Sequence, residues 1–493
     1  MSKKTAPEYD LLIRNVRVVR PHGNAVHEAD IAVRDGRVAK VAPAIDVARA
    51  KEVHDGKGRL AFPGVVDAHM HAGIYSPLEE DAVSESKAAA TGGVTSSLNY
   101  FRTGQYYLNK GGSYRKFFPE VLQIADGRFH VDYGFHLAPM ERRHIDEIPW
   151  LIDKHGVASF KIFMFYGSHG LHGASDSQRQ FLMIGEDERY DYAHFEFVMR
   201  GVQAARERYR ERARQISLSL HCETAEIMTA YTKMVEKDRS MKGLAAYHAA
   251  RPPHSEGLAV FIAAYLAHET ALPNINLLHL SSKKAVQAAL MMAEVFPHID
   301  FRREVTVGHL MLDVSSRAAE LAKVNPPIRP REDVEYLWQQ LLEGKLDWVV
   351  SDHACCRHEM KIPKQYFGNI WMAKSGFGGT EYLLPALVSE GSRRGMSYNH
   401  IARVTSFNAA QRYGLNRKGD IAEGFDADIA LVDPAKTGTV RAQESPSTQG
   451  YTPFEGIELS ARVEATYLRG TKIFEGGRII GKPRGQYLHR PTA

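Results

Sequence analysis

FPGVVDAHMH, residues 62–71, is the stretch on which the reading of this chain turns. An apolar run, Val65–His69, follows a Pro-Gly break and ends in two histidines spaced i and i+2. On a strand such residues point to the same face, so His69 and His71 can reach one ion. A strand that is apolar along its whole length is buried on both faces, as in a parallel sheet. His-x-His pairs also arise by chance at strand ends, so the rest of the chain has to decide.

Working outward, similar runs recur at Val94–Tyr100, Val131–Leu137, Ser159–Tyr166, Ile216–His221, Ile275–Leu280, Arg303–Val307 and Trp348–Ser351. Most are followed by a segment of helical period, such as Lys283–Val295 or Val334–Leu342. About eight β-then-α units in succession predict a closed TIM-type (β/α)₈ barrel rather than an open sheet. Residues at the C-terminal ends of barrel strands converge on one mouth. His221 ends ISLSLH, His279 lies in INLLHLSS and Asp352 lies in VVSDHA, so all three are expected to join His69 and His71. Four imidazoles and a carboxylate suit Zn²⁺ or Mn²⁺. Lys161, in SFKIFMFY, stands among apolar neighbours, where an ammonium is costly unless it snorkels outward.

Both ends have a different texture. DLLIRNVRVV, DIAVRDGRVAKVA and EVHDGKGRLAF at the start, and DADIALVD, VEATYLR and KIFEGGRII at the end, are short β-branched runs broken by Gly, Asp and Asn. They predict a small β-sandwich assembled from both termini. The expected division is residues 1–62 and 423–493 for that domain and its C-terminal tail, with the barrel at 63–422. The tail, GKPRGQYLHRPTA, reads as too polar for a core and suited to a subunit interface. The polar stretch Gly167–Tyr190 is long for a loop and is expected on the active-site face.

Composition sets the outer bounds. The 493 residues are 44% hydrophobic and 25% charged, a globular balance. A net charge of +5, without long basic runs, argues against a nucleic-acid partner. No apolar stretch is long enough for a bilayer, and the N-terminus lacks the apolar core of a signal peptide. Three cysteines, two of them adjacent, make no disulfide framework. A cytoplasmic protein is expected.

In order along the chain, FPGVVDAHMH, AAATGGVTS, SFKIFMFY, HCE, RPPHSEGLA, LLHLSS, KVNPPIR, SDHA, GFGGTEYLLPAL and KGDIAEGFDADIALVD resemble the amidohydrolase superfamily. The resemblance is to its dihydropyrimidinase, hydantoinase and allantoinase branch, the cyclic amidohydrolases. It implies that Lys161 is carbamylated and bridges two divalent metals, zinc with manganese or cobalt as alternatives. His69, His71 and Asp352 would hold one metal, and His221 and His279 the other. It further implies hydrolysis of a hydantoin- or dihydropyrimidine-like ring by a metal-bridging hydroxide, with Asp352 moving the proton and Tyr166 stabilising the oxyanion. Asn325 and Ser282 are the expected further substrate contacts, and Asp67 and His353 the expected supports behind the ligands. A small-molecule substrate and a homotetramer belong to the same expectation.

An allantoin or xenobiotic ring is the alternative substrate. Gly73 stands where dihydroorotases carry an arginine, which speaks against that activity. A non-catalytic scaffold is disfavoured because all six ligand positions are retained. Gly378 replaces the asparagine usual in dihydropyrimidinases, and the aromatics Tyr75, Tyr100, Phe101, Tyr106 and Tyr107 are expected around the pocket.

Overall fold

The computed structural model describes residues 7–167, 177–238 and 240–492. Its centre is an eight-stranded parallel sheet in sequential order: Val65–Met70, Val94–Phe101, Asp132–Leu137, Ser159–Phe163, Ser217–His221, Asn274–Leu277, Asp300–Thr306 and Trp348–Val350. The ring closes where Met70 bridges His353 and the His71 N–H donates to the His353 carbonyl at 2.8 Å. Seven of the strands are buried throughout, which is why they read as largely apolar runs. The seventh begins half exposed because Arg302 and Arg303 pair with Asp347 at its lower end. Helix Lys283–Val295 has the bounds expected from its period.

Among the boundaries that differ from the sequence expectation, two matter for the site. The fourth strand stops at Phe163, and Met164–Gly167 coils into a 3₁₀ turn that folds Tyr166 back toward the mouth. The sixth stops at Leu277, leaving His279 two residues beyond it with φ 35°.

The terminal segments build one nine-stranded sheet. Its seam pairs Leu60–Pro63 with Ile429–Asp433 in antiparallel register, joining the two chain ends. Gly64 then carries the chain directly into the first barrel strand. A Cβ there would lie 2.2 Å from Thr95 Oγ1, so only glycine lets the two sheets approach this closely.

The tail does not behave as its polarity suggested. Gly485 N–H donates to the Phe129 carbonyl at 2.9 Å, and Leu488 N–H to the Tyr133 carbonyl at 2.7 Å. Arg490 is wholly buried and donates to Ser159 Oγ at 2.7 Å. The segment therefore packs on the floor of its own barrel. Its charged residue is accommodated because the lower ends of the strands offer acceptors.

A buried charge cluster fastens floor to sheet. Lys418 Nζ donates to Asp132 Oδ2 at 2.8 Å and to Asp428 Oδ2 at 2.7 Å, with Asp426 at 3.2 Å, while Arg469 pairs with Asp132. The lysine is held above its ordinary value, burial notwithstanding, by Asp428, Asp132 and Asp426. Lys418→Met would leave these carboxylates crowded around Arg469 alone. It should cost about 3–5 kcal/mol of unfolding free energy, measured by denaturant titration. An unchanged midpoint would show that the cluster does not join the two parts.

Candidate metal centre

The strand ends bring the expected ligands to one place. His69 Nε2 lies 3.2 Å from Asp352 Oδ1 and 3.2 Å from Lys161 Nζ, and His71 Nε2 lies 3.3 Å from the same Asp352 oxygen. His69, His71 and Asp352 each offer a ligand atom within 4.8 Å of the other two. The imidazoles continue as a chain, with His69 and His279 ring centres 5.3 Å apart and His279 and His221 4.3 Å apart. His279 and Asp352 both hold positive φ, 35° and 53°. Strain of this kind persists where surrounding structure imposes it, and it gathers at functional sites.

Burial governs the electrostatics. It pushes the Lys161 amine down to about 7, against the opposing pull of Asp352 and Glu304. Burial also lowers His221 to about 4 and His69 and His279 well below the usual imidazole range. Burial alone would raise the Asp352 carboxyl, but His69, His71 and Lys161 hold it below its ordinary value. The group at neutral pH is thus a set of neutral imidazoles, an ionised carboxylate and an amine with much of its charge lost. Neutral imidazole and carboxylate are the forms that bind a divalent cation. His279 Nδ1 is buried with no hydrogen-bond partner among the described residues. The donor set therefore fits a metal.

Partners behind the rings fix their orientation. Glu304 accepts from His69 Nδ1 at 2.7 Å, from the His279 backbone N–H at 3.1 Å and from Trp348 Nε1 at 2.9 Å. Tyr107 OH meets His71 Nδ1 at 2.9 Å. Glu223, held by Arg251, meets His221 Nε2 at 2.6 Å. Such contacts select which ring nitrogen faces the centre. Neither Glu304 nor Glu223 is assigned a role from sequence, and Tyr107 is expected there only as a pocket aromatic. The signal for Glu304 was present, a lone carboxylate in the apolar run of a barrel strand.

The supports that were expected act one step further out. Asp67 accepts from the Ser351 N–H at 3.1 Å and from Thr380 Oγ1 at 2.7 Å, bracing the residue before Asp352. His353 turns away from the cavity: its Nε2 meets Glu85 at 2.8 Å, and its Nδ1 accepts from the Gly379 N–H at 3.0 Å. A Cβ on Gly378 would lie 2.7 Å from His353 Cε1, so this packing favours glycine at the position.

A cleft of about 440 Å³ opens over the centre, lined by His71, Lys161, His221, His279 and Asp352 together with Ile74, Tyr107, Phe165, Tyr166, Asn325 and Ser375. Tyr166 and Asn325 thus stand where a substrate would sit. Asn325 Oδ1 accepts from Tyr247 OH at 2.5 Å and Ser375 Oγ at 3.3 Å, which fixes its amide. Ser282 does not line the cleft. Its hydroxyl donates to Glu256 Oε2 at 2.9 Å and accepts from Ala285 N–H, capping the helix Lys283–Val295. The structure gives it a structural role.

Of the five rim aromatics, only Tyr107 lines this cleft. Tyr100 lies beneath it, bonded to Ser219 Oγ at 2.9 Å with its ring 4.1 Å from Lys161 Nζ, and Phe101 is core. Tyr75 and Tyr106 line an outer groove. Residues 168–176 of the expected active-site loop lie outside the described residues.

Glu304→Gln keeps the shape of the support but can never ionise. It should weaken retention of divalent metal about 10–100-fold, read by competition with a chelator. Unchanged retention would mean that Glu304 only packs.

Comparison with known proteins agrees with this geometry. Residues 60–473 match the model of the amidohydrolase family. An allantoinase from Rubrobacter xylanophilus is 31% identical over 97% of both chains. The D-hydantoinase of Bacillus sp. AR9 superposes with TM-score 0.83 at 26% identity, covering 98% of this chain and 100% of that one. The L-hydantoinase of Arthrobacter aurescens superposes with TM-score 0.80 at 26% identity, over 96% and 98%. The chain belongs to the amidohydrolase family, in its cyclic amidohydrolase branch.

Proposed function

We propose that this chain hydrolyses a cyclic ureide or imide with a pair of divalent metals, zinc in the first place, held at the barrel mouth. The observation that carries the reading is the convergence of His69, His71, Asp352 and Lys161 within 3.3 Å contacts on a buried floor. His69, His71 and Asp352 would hold one ion, and His221 and His279 the other. Lys161 would serve both as a carbamate. An amine lowered to about 7 is partly neutral at physiological pH, the form that reacts with CO₂, and the product is an anionic oxygen donor. When bound, the metals would acidify a water and polarise the carbonyl under attack.

The remaining chemistry belongs to side chains. Asp352 is ionised and faces the cleft, so it can take the proton of the attacking water and return it to the ring nitrogen as the C–N bond breaks. The Tyr166 phenol, kept protonated by burial, donates to the carbonyl oxygen as charge develops there. Asn325 fixes the amide edge of the ring, and Ile74 and Phe165 wall it from water.

Allantoin is the first ring to test because the Rubrobacter relative is an allantoinase, and hydantoins and dihydropyrimidines are the next. Gly73 packs against Leu78 and donates its N–H to Asp81, in keeping with the absence of an arginine for a dihydroorotate carboxylate. A homotetramer is supported by an apolar stripe on helix Pro253–Glu269, where Leu258, Phe261 and Tyr265 are 42%, 36% and 56% exposed. No helix among the described residues is long and apolar enough to cross a membrane. Three free, buried cysteines support a reducing cytoplasm.

Metal-replete protein should open at least one ring in a panel of allantoin, hydantoins, dihydrouracil and cyclic imides. Asp352→Asn should lower kcat on that ring by roughly 10²–10⁴-fold while keeping much of the metal. No hydrolysis across the panel would contradict the reading, and normal turnover in Asp352→Asn would give the proton transfer to another group.

A further inference from the structure

Arg102 is a wholly buried guanidinium in the turn that follows the second barrel strand. After burial, the groups acting on it are phenols, Tyr166 and Tyr107 first, and no carboxylate is among them. Its Nη1 donates to the Thr103 carbonyl at 2.9 Å and the Gln105 carbonyl at 3.1 Å, and its Nη2 has no partner among the described residues. The guanidinium carbon lies over the rings of Phe181 at 4.7 Å, Tyr166 at 5.1 Å and Tyr107 at 5.5 Å. The turn is built around it: Gly104 has φ 109°, and a Cβ there would lie 2.7 Å from Arg102 Nη1. A buried cation without a counter-charge is costly, and aromatic faces offset only part of that cost. Its remaining contact is with the cleft wall, where Nε donates to Tyr166 OH at 3.2 Å.

We infer that Arg102 is a positioning residue for the Tyr166 phenol, occupying its oxygen as a donor so that the phenolic hydrogen is left for an acceptor in the cleft. A phenol has one hydrogen to give and accepts through its oxygen lone pairs. With Nε–H on the oxygen, the Tyr166 hydrogen has no acceptor among the described residues, and the side chain borders the cleft beside Lys161 and Asp352. The adjacent positive charge strengthens the phenol as a donor. Burial raises the phenol and Arg102 opposes that rise without overcoming it, so the hydrogen stays on.

The inference rests on Tyr166 serving the reaction, and a double-mutant cycle separates the two ideas. Turnover of the metal-replete enzyme on its best panel substrate is compared for Arg102→Met, Tyr166→Phe and the double variant, with Arg102→Lys as partial rescue. Arg102→Met should lower kcat roughly 10- to 100-fold with little change in KM. The double variant should be no slower than Tyr166→Phe, and Arg102→Lys should recover part of the loss. If Arg102→Met does not fold, Arg102→Gln, which keeps a donor and drops the charge, takes its place in the cycle. Additive losses in the double variant would overturn the inference, because Arg102 would then act on something other than the phenol. Normal kcat in Arg102→Met beside a slow Tyr166→Phe would overturn it while leaving the role of Tyr166 intact. Normal kcat in Tyr166→Phe would remove that role and the inference together.

Discussion

Lys161 lies on the floor of the cleft with its amine 3.2 Å from His69 Nε2 and over the faces of Tyr100 and Phe163, and burial takes away much of its charge. An amine in this position would be expelled or paired in an ordinary core. Here the barrel keeps it. Neighbouring strands supply neutral imidazoles, and the one ionised carboxylate in reach, Asp352, meets the same His69 nitrogen at 3.2 Å. The rest of the mouth follows from that constraint, since a floor short of anions but rich in neutral donors is matched by divalent cations and an added anionic bridge.

Precision at the mouth comes from outside it. Glu304 ties the first, sixth and eighth strands together through His69, the His279 backbone and Trp348. Glu223 and Arg251 do the same for His221, and Asp67 braces Ser351 beside Asp352. Burial pushes Glu304 up to about 8, against the opposing pull of Trp348 and Lys161. Below the mouth, the Lys418 cluster and the docked tail clamp the strand starts, so the barrel is fixed at both ends. Ligand positions held this way cost little rearrangement when an ion or substrate arrives.

The barrel and its ligands were legible in sequence because both depend on short-range pattern. Strands buried on two faces read as largely apolar runs, and His69, His71, His221 and Asp352 stand at or just past their ends. Contacts that cross the barrel left weaker traces. Glu304 supports His69 from 235 positions away, and nothing local announces that partnership. Ser282 sits near His279 in sequence, yet as the N-cap of the next helix it is turned toward Glu256. Tyr100 and Phe101 follow strand alternation into the interior rather than reaching the rim. The tail misled because polarity measures composition, whereas burial depends on whether the receiving surface offers acceptors, as Ser159 and the floor carbonyls do for Arg490. Arg102 escaped notice for a related reason, since it is held by Tyr107 of its own loop and by Tyr166 from the turn after the fourth strand.

The most direct measurement is carbon-13 NMR of the metal-free chain reloaded with divalent metal in labelled bicarbonate. A carbamate on Lys161 predicts a single protein-bound carbamate resonance that appears with the metal and with activity and is missing in Lys161→Arg. Full hydrolytic activity in metal-loaded protein that shows no such resonance would contradict it.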